Sequence, residues 1–212
     1  METTKSLPNL SAEEQRVLGA LIEKSRTTPD YYPMTLNSLT AACNQKSARN
    51  PVVNYDEETI TLTLNQLKVK GLISTATGGS SRATKYKHNL AIVYPIIPSE
   101  LAIISLLLLR GPLTPGEINS NSGRLYEFES IEEVSEQLQK LASDEPAFVK
   151  QLQKKPGQKE ARFIHLLGEY VETTDESSVS IVVQHSDLEE RIEKLEQEVE
   201  ELKELVNLLM DK

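Results

Sequence analysis

Lys46 and Arg49 stand just ahead of a helical stretch whose non-core side carries Thr61, Thr63, Asn65, Gln66 and Lys68, and a β segment beyond it carries Arg82, Lys85 and Lys87. Carboxamides at helical spacing can hydrogen-bond adenine edges, and lysine and arginine can meet phosphate oxygens. All of these but Thr63 form the candidate nucleic-acid-binding set, with double-stranded DNA as the candidate partner. Asp56, Glu57 and Glu58 oppose that reading, because at the start of the helix they suit its dipole yet repel phosphate from the usual docking end. A merely solvated helix face would be polar too.

Other chemistry has little footing. No glycine loop with a phosphate-binding lysine, no paired His/Cys spacing and no nucleophile elbow is present, so no catalytic residue, metal ligand or cofactor is assigned. His88 and His165 fall at equivalent strand ends and His185 just before the terminal helix, which suits structural or exposed roles. Cys43, the single cysteine, sits among Leu39, Ala41 and Ala42 and reads as a buried thiol.

The formal charge of −9 is unevenly spread. Residues 1–95 carry 11 Lys and Arg against 8 Asp and Glu, residues 96–186 carry 8 against 14, and residues 187–212 carry 4 against 10. A local basic surface can therefore gather on the first section, whereas attraction of the whole chain to a polyanion is weak. The first ten residues hold no apolar secretion core, and the longest apolar run, Leu101 to Leu109, is too short to span a bilayer. The expectation is a cytoplasmic protein without a membrane partner.

The elements that position the candidate residues follow from caps and periodicity. Ser11 with Glu14 opens a first helix running to about Lys24, Thr35 caps a short second helix, and Asp56 caps a third with Ile60, Leu64 and Leu67 inward, ending at Gly71. Leu72 to Thr77 and Arg82 to His88 read as strands joined by a glycine-containing tip, Gly78 to Ser81. Three helices and a hairpin are the order of a winged helix. Pro95 and Pro98 mark a boundary, and the order repeats. An apolar helix runs from Ser99 to Arg110, and Thr114-Pro115-Gly116-Glu117 starts a brief second helix. Ser130 caps a third helix with the inward stripe Ile131, Val134, Leu138 and Leu141, and a hairpin follows around Lys154 to Lys159. Ile60, Leu64 and Leu67 correspond in role to Ile131, Val134/Ser135 and Leu138, which suggests internal duplication. The outer face of that last helix is mainly acidic, so the second module suits a protein partner better than DNA.

Leu188, Ile192, Leu195, Val199, Leu202, Val206 and Leu209 alternate steps of four and three, a heptad seam that needs a partner. β-Branched residues at a with Leu at d favour a parallel pair, and Arg191 would then face Glu196 of the other chain. A homodimer joined by this helix is expected; folding back onto its own body is the alternative.

The run Thr28 to Leu39, its continuation Ala41 to Val52, Gly78 to Arg82, and Pro156 to Arg162 resemble the YceH-like family of uncharacterised bacterial proteins, over roughly residues 11–170. The resemblance implies tandem winged helices, often with a heptad-rich C-terminal end, and it implies no activity. Asn44 to Ser47, Arg49 to Pro51, and Arg82 are characteristic positions; Asn and Pro suit turns, and Lys46 or Arg49 could equally tie the inter-helix loop to nearby carboxylates or backbone oxygens.

The reading is mainly α with small β-hairpins (α+β): two tandem winged-helix domains, 11–94 and 98–170, a linker 171–185, and a C-terminal heptad-repeat helix 186–212. It describes a non-enzymatic dimer that binds DNA as a transcriptional regulator, or alternatively a scaffold that binds an unidentified protein without DNA contact. Deletion after His185 should halve the mass in solution measured by light scattering; an unchanged mass would reject the terminal helix as the dimer determinant.

Overall fold

The computed structural model describes residues 6–76, 83–154 and 156–169, which lie within one compact unit, Met1–Tyr170. Arg82, the hairpin tip 78–81, the linker 171–185 and the whole heptad seam from Leu188 to Leu209 lie outside the described residues. The fold is α+β. Its first half runs α1 (Ala12–Thr27), β1 (Met34–Thr35), α2 (Leu36–Cys43), α3 (Glu57–Val69), β2 (Ile73–Ala76) and β3 (Lys85–His88). A short α4 (Leu90–Val93) leads to the second half: α5 (Pro98–Arg110), α6 (Pro115–Ser122), α7 (Ile131–Ser143), β4 (Val149–Gln151) and β5 (Phe163–His165).

Local chemistry sets the helix starts. Ser11 and Glu14 close a reciprocal capping box on α1, Thr114 and Glu117 do the same on α6, and Thr35, Asp56 and Ser130 each accept a backbone N–H from the third residue on. Gly71, with φ +73°, lets the chain leave α3 and enter β2.

The halves repeat one plan. β1 pairs with β3 through Met34 and Tyr86, giving the sheet order β1-β3-β2; in the second half Leu113 bridges to Phe163 on β5, which pairs with β4. Glu14 accepts from the Ser11 amide at 2.8 Å and from Lys70 Nζ at 2.6 Å, and Glu100 accepts from the Ile97 amide at 3.0 Å and from Lys140 Nζ at 2.6 Å. Each pair ties the start of the first helix to the end of the third. Alignment of the caps Asp56 and Ser130 places Ile60, Leu64 and Leu67 over Val134, Leu138 and Leu141, all buried. Ile131, expected inward, is 43% exposed in the first turn of α7, so the correspondence starts one turn later than the sequence suggests.

One continuous core joins the halves. α1 and α5 cross at Gly19, where a Cβ would approach the Leu109 side chain to 3.0 Å, and Ser105 Oγ donates to the Gly19 carbonyl at 3.3 Å. The boundary segment is built into this core: Tyr94 and Ile96 are buried, Tyr94 stacks edge-on against Phe148 at 5.3 Å, and its hydroxyl donates to the Ser6 carbonyl. At the other end Leu10 N–H donates to the Leu167 carbonyl at 2.8 Å.

His88 and His165 occupy matching ends of β3 and β5, each with a buried Nδ1 that lacks a partner among the described residues. Burial lowers both pKa values from 6.5 to about 4. The unfolded chain then binds more protons between those values, so stability is full above about pH 6.5 and falls as pH drops toward 4, by roughly 3 kcal/mol per histidine. Urea midpoints should decline from pH 7 to pH 5, before the carboxylates titrate. His165→Gln should remove about half of that decline; an unchanged slope would show that His165 titrates normally.

Candidate functional site

α3 presents Thr61, Asn65, Gln66 and Lys68 to solvent, as their spacing required. Asn65, Gln66 and Lys68 make no side-chain hydrogen bond among the described residues, while Thr61 Oγ1 donates to the Glu57 carbonyl at 2.7 Å. Thr63, expected on the same side, is buried instead: its hydroxyl donates to the Thr59 carbonyl at 2.8 Å, which satisfies it inside the core. Along the outermost ridge, Leu62 is 59% and Val69 90% exposed, on either side of Asn65 and Gln66.

On β3 the register sets Lys85 opposite Thr35 and Ala76, and Lys87 opposite Ser74. Alternation puts Lys85 and Lys87 on one face and Tyr86 and His88 on the other, where Tyr32 Oη accepts the His88 amide at 2.7 Å. Lys87 is exposed and Lys85 half-buried. Lys46 is exposed on a third element, the loop between α2 and α3. Arg82 lies outside the described residues.

Arg49 is placed differently. Its side chain is 0% exposed, and its guanidinium meets the Glu23 carboxylate with both terminal nitrogens, at 3.0 and 2.6 Å. It also donates to the carbonyls of Ala42 and Ala48 and to Gln45 Oε1. Burial pushes the Glu23 carboxyl up, but Arg49, aided by Lys24, outweighs it and holds the group below its usual range. A guanidinium so committed has no donor left for phosphate, which corrects the expectation of a surface contact.

The surrounding loop is pinned at every turn. Asn44 Nδ2 donates to the Tyr55 carbonyl at 2.7 Å and its Oδ1 accepts the Tyr55 amide at 2.8 Å; Asn50 N–H donates to the Leu109 carbonyl at 2.8 Å. Arg16, buried on α1, donates to the carbonyls of Cys43 and Pro51. Burial and the nearby Arg49 charge lower the Arg16 pKa. The Arg49–Glu23 pair and Arg16 were not legible as partners in the sequence; the available signal was the seven-residue spacing of Arg16 and Glu23, which puts both on one side of α1. Cys43 is buried, and burial raises its thiol pKa to about 12.

Two clefts sit at equivalent places in the halves. One of about 640 Å³ is lined by Asn9, Leu10, Glu14, Gln66 and Lys70 among others; the other, of about 240 Å³, by their counterparts Pro95, Ile96, Glu100, Lys140 and Asp144. Among the described residues no group of three His, Cys, Asp or Glu side chains could hold a metal ion, and no helix is long and apolar enough to cross a membrane.

Glu23→Gln should strip the charge from the partner of a buried guanidinium and lower unfolding stability by about 3–5 kcal/mol. Adding Arg49→Met should recover part of that loss in urea titrations. A loss below about 1 kcal/mol would mean that the pair behaves as a surface ion pair.

Sequence comparison places these features in a family. Residues 10–158 match the family described as "Protein of unknown function, DUF480". A "UPF0502 protein" of Solibacter usitatus is 45% identical over 194 residues, covering 92% of this chain and 93% of its own. One from Shewanella woodyi is 43% identical over 218 residues, covering 96% and 100%, and one from Opitutus terrae is 47% identical over 163 residues, covering 76% and 71%. The chain therefore belongs to the DUF480/UPF0502 family of uncharacterised bacterial proteins, consistent with the YceH-like resemblance of its sequence blocks.

Proposed function

We propose that this chain is a non-enzymatic, cytoplasmic tandem winged-helix protein that acts as an assembly scaffold, holding another protein on the outer face of α3, and that the seam Leu188 to Leu209 joins two copies. The winged-helix reading is supported in both halves by the succession of helix, bridging strand, two helices and antiparallel hairpin. The observation that carries the protein-contact reading is the exposure of Leu62 and Val69 at the centre of a face expected to be polar. Large aliphatic side chains there gain from meeting an apolar surface. The sequestration of Arg49 removes one of the cations on which a phosphate-binding surface depended.

Double-stranded DNA remains the second reading, favoured by Lys85 and Lys87 sharing one face of β3. On that reading the helix would read bases while the hairpin met the backbone, and the protein would serve as a transcriptional regulator. The acidic first turn of α3, with Glu57 and Glu58, weighs against it.

A photoreactive residue in place of Asn65, introduced into the full chain in cells, tests both. The expected adduct is protease-sensitive and nuclease-resistant, weakens about tenfold with Leu62→Ser and Val69→Ser together, and survives Lys68→Ala, Lys85→Ala and Lys87→Ala. A nuclease-sensitive adduct lost with the three lysines would overturn the protein-contact reading in favour of DNA.

A further inference from the structure

The duplicated plan supplies an internal standard for the outer face of α3. With Asp56 set over Ser130, Leu62 corresponds to Glu136, Asn65 to Gln139 and Val69 to Ser143, and all of these side chains are exposed. Two helices in the same place within equivalent halves thus differ on their outer ridge. α7 carries what a solvated face needs, whereas α3 has aliphatic side chains at two positions where its counterpart has a carboxylate and a hydroxyl.

The face is also self-complementary. The first turn of α3 is acidic, with Glu57 and Glu58, and its last turn is basic, with Lys68. If two α3 helices pack antiparallel about a two-fold axis between Asn65 and Gln66, Leu62 of one meets Val69 of the other. The central amides can then pair across the axis. Glu58 and Lys68 lie on the same flank, and an antiparallel pairing sets like flanks together, so the acidic end of each helix lies along the basic end of the other. The opposed helix dipoles favour the same arrangement. The isologous geometry needs no second type of surface.

We infer that the outer face of α3 docks on the same face of a second copy of this chain, antiparallel, with Leu62 against Val69. The inference rests on the protein-contact reading of α3 and names its partner. One helix face is smaller than the surface that normally sustains a dimer alone. The contact is therefore reversible, and it works where copies are already held close or are concentrated.

The test uses the purified full chain carrying Asn65→Cys, beside a chain carrying Gln139→Cys at the matching position of α7. Cys43 stays silent, because it is buried and its thiol titrates near 12. Under mild oxidation Asn65→Cys should form covalent dimer about tenfold faster than Gln139→Cys, and adding Leu62→Ser with Val69→Ser should return it to the slower rate. Equal rates for the two cysteines would overturn the second-copy contact. Should they be equal while the adduct at position 65 in cells still joins a different protein, the protein-contact reading stands and only the identity of the partner falls. A nuclease-sensitive adduct with equal rates would remove both.

Discussion

The crossing of α1 over α5 at Gly19 is the constraint on which the rest of the molecule depends. The two helices meet where one of them has no side chain, and Leu108 and Leu109 fill the space that a Cβ would occupy. Close approach lets residues 16–22 of α1 be buried together, and it does the same for residues 99–109 of α5. Each helix is the first of its own half, so their contact turns two small cores into one. A smaller unit buries a smaller fraction of its surface, so fusion through the first helices raises the buried fraction of both halves.

Burial of α1 from Arg16 to Ile22 has an electrostatic consequence. Arg16 and Glu23 lie on the side of the helix away from its most apolar stripe, and in an isolated module that side would face water. Here the loop from Asn44 to Pro51 closes over it, bringing Arg49 to Glu23 and the carbonyls of Cys43 and Pro51 to Arg16. A buried guanidinium is tolerable only with such partners. The most distinctive sequence block is thus accounted for mainly by charge accommodation: Asn44, Gln45 and Arg49 hold the cover in place, and Asn50 fastens it to the end of α5.

The helices that caps announce were legible, because a cap is a contact between neighbours in sequence. Ser11, Thr35, Asp56, Thr114 and Ser130 each do what their spacing indicated. What escaped depends on partners far along the chain or on elements too short to have a period. β1 has two residues and exists only through its pairing with β3, and α4 is a single turn. Arg49 reads equally as a phosphate contact or as a tie for its loop until Glu23, 26 positions away, is seen against it. Thr63 reads as polar and outward until its hydroxyl is found bonded within its own helix. Of the candidate site, Thr61, Asn65, Gln66 and Lys68 were placed correctly on one face, but Leu62 and Val69 on the same ridge were passed over because isolated exposed aliphatics are ordinary on protein surfaces.

The duplication changes the weight of that last point. An exposed leucine on a helix with no counterpart would carry little information. Here α7 occupies the equivalent place, presents Glu136 and Ser143 at the same positions, and uses the matching buried triad and a similar lysine-to-glutamate tie made one turn earlier. Scaffold demands are therefore matched between α3 and α7, and they leave the difference on the outer ridge unexplained. A core requirement cannot account for side chains that point away from the core, and solubility favours the α7 choice. The proposed contact of the α3 face would account for that difference. The two halves share a plan and a core, and they differ on the outer ridge where the contact is proposed.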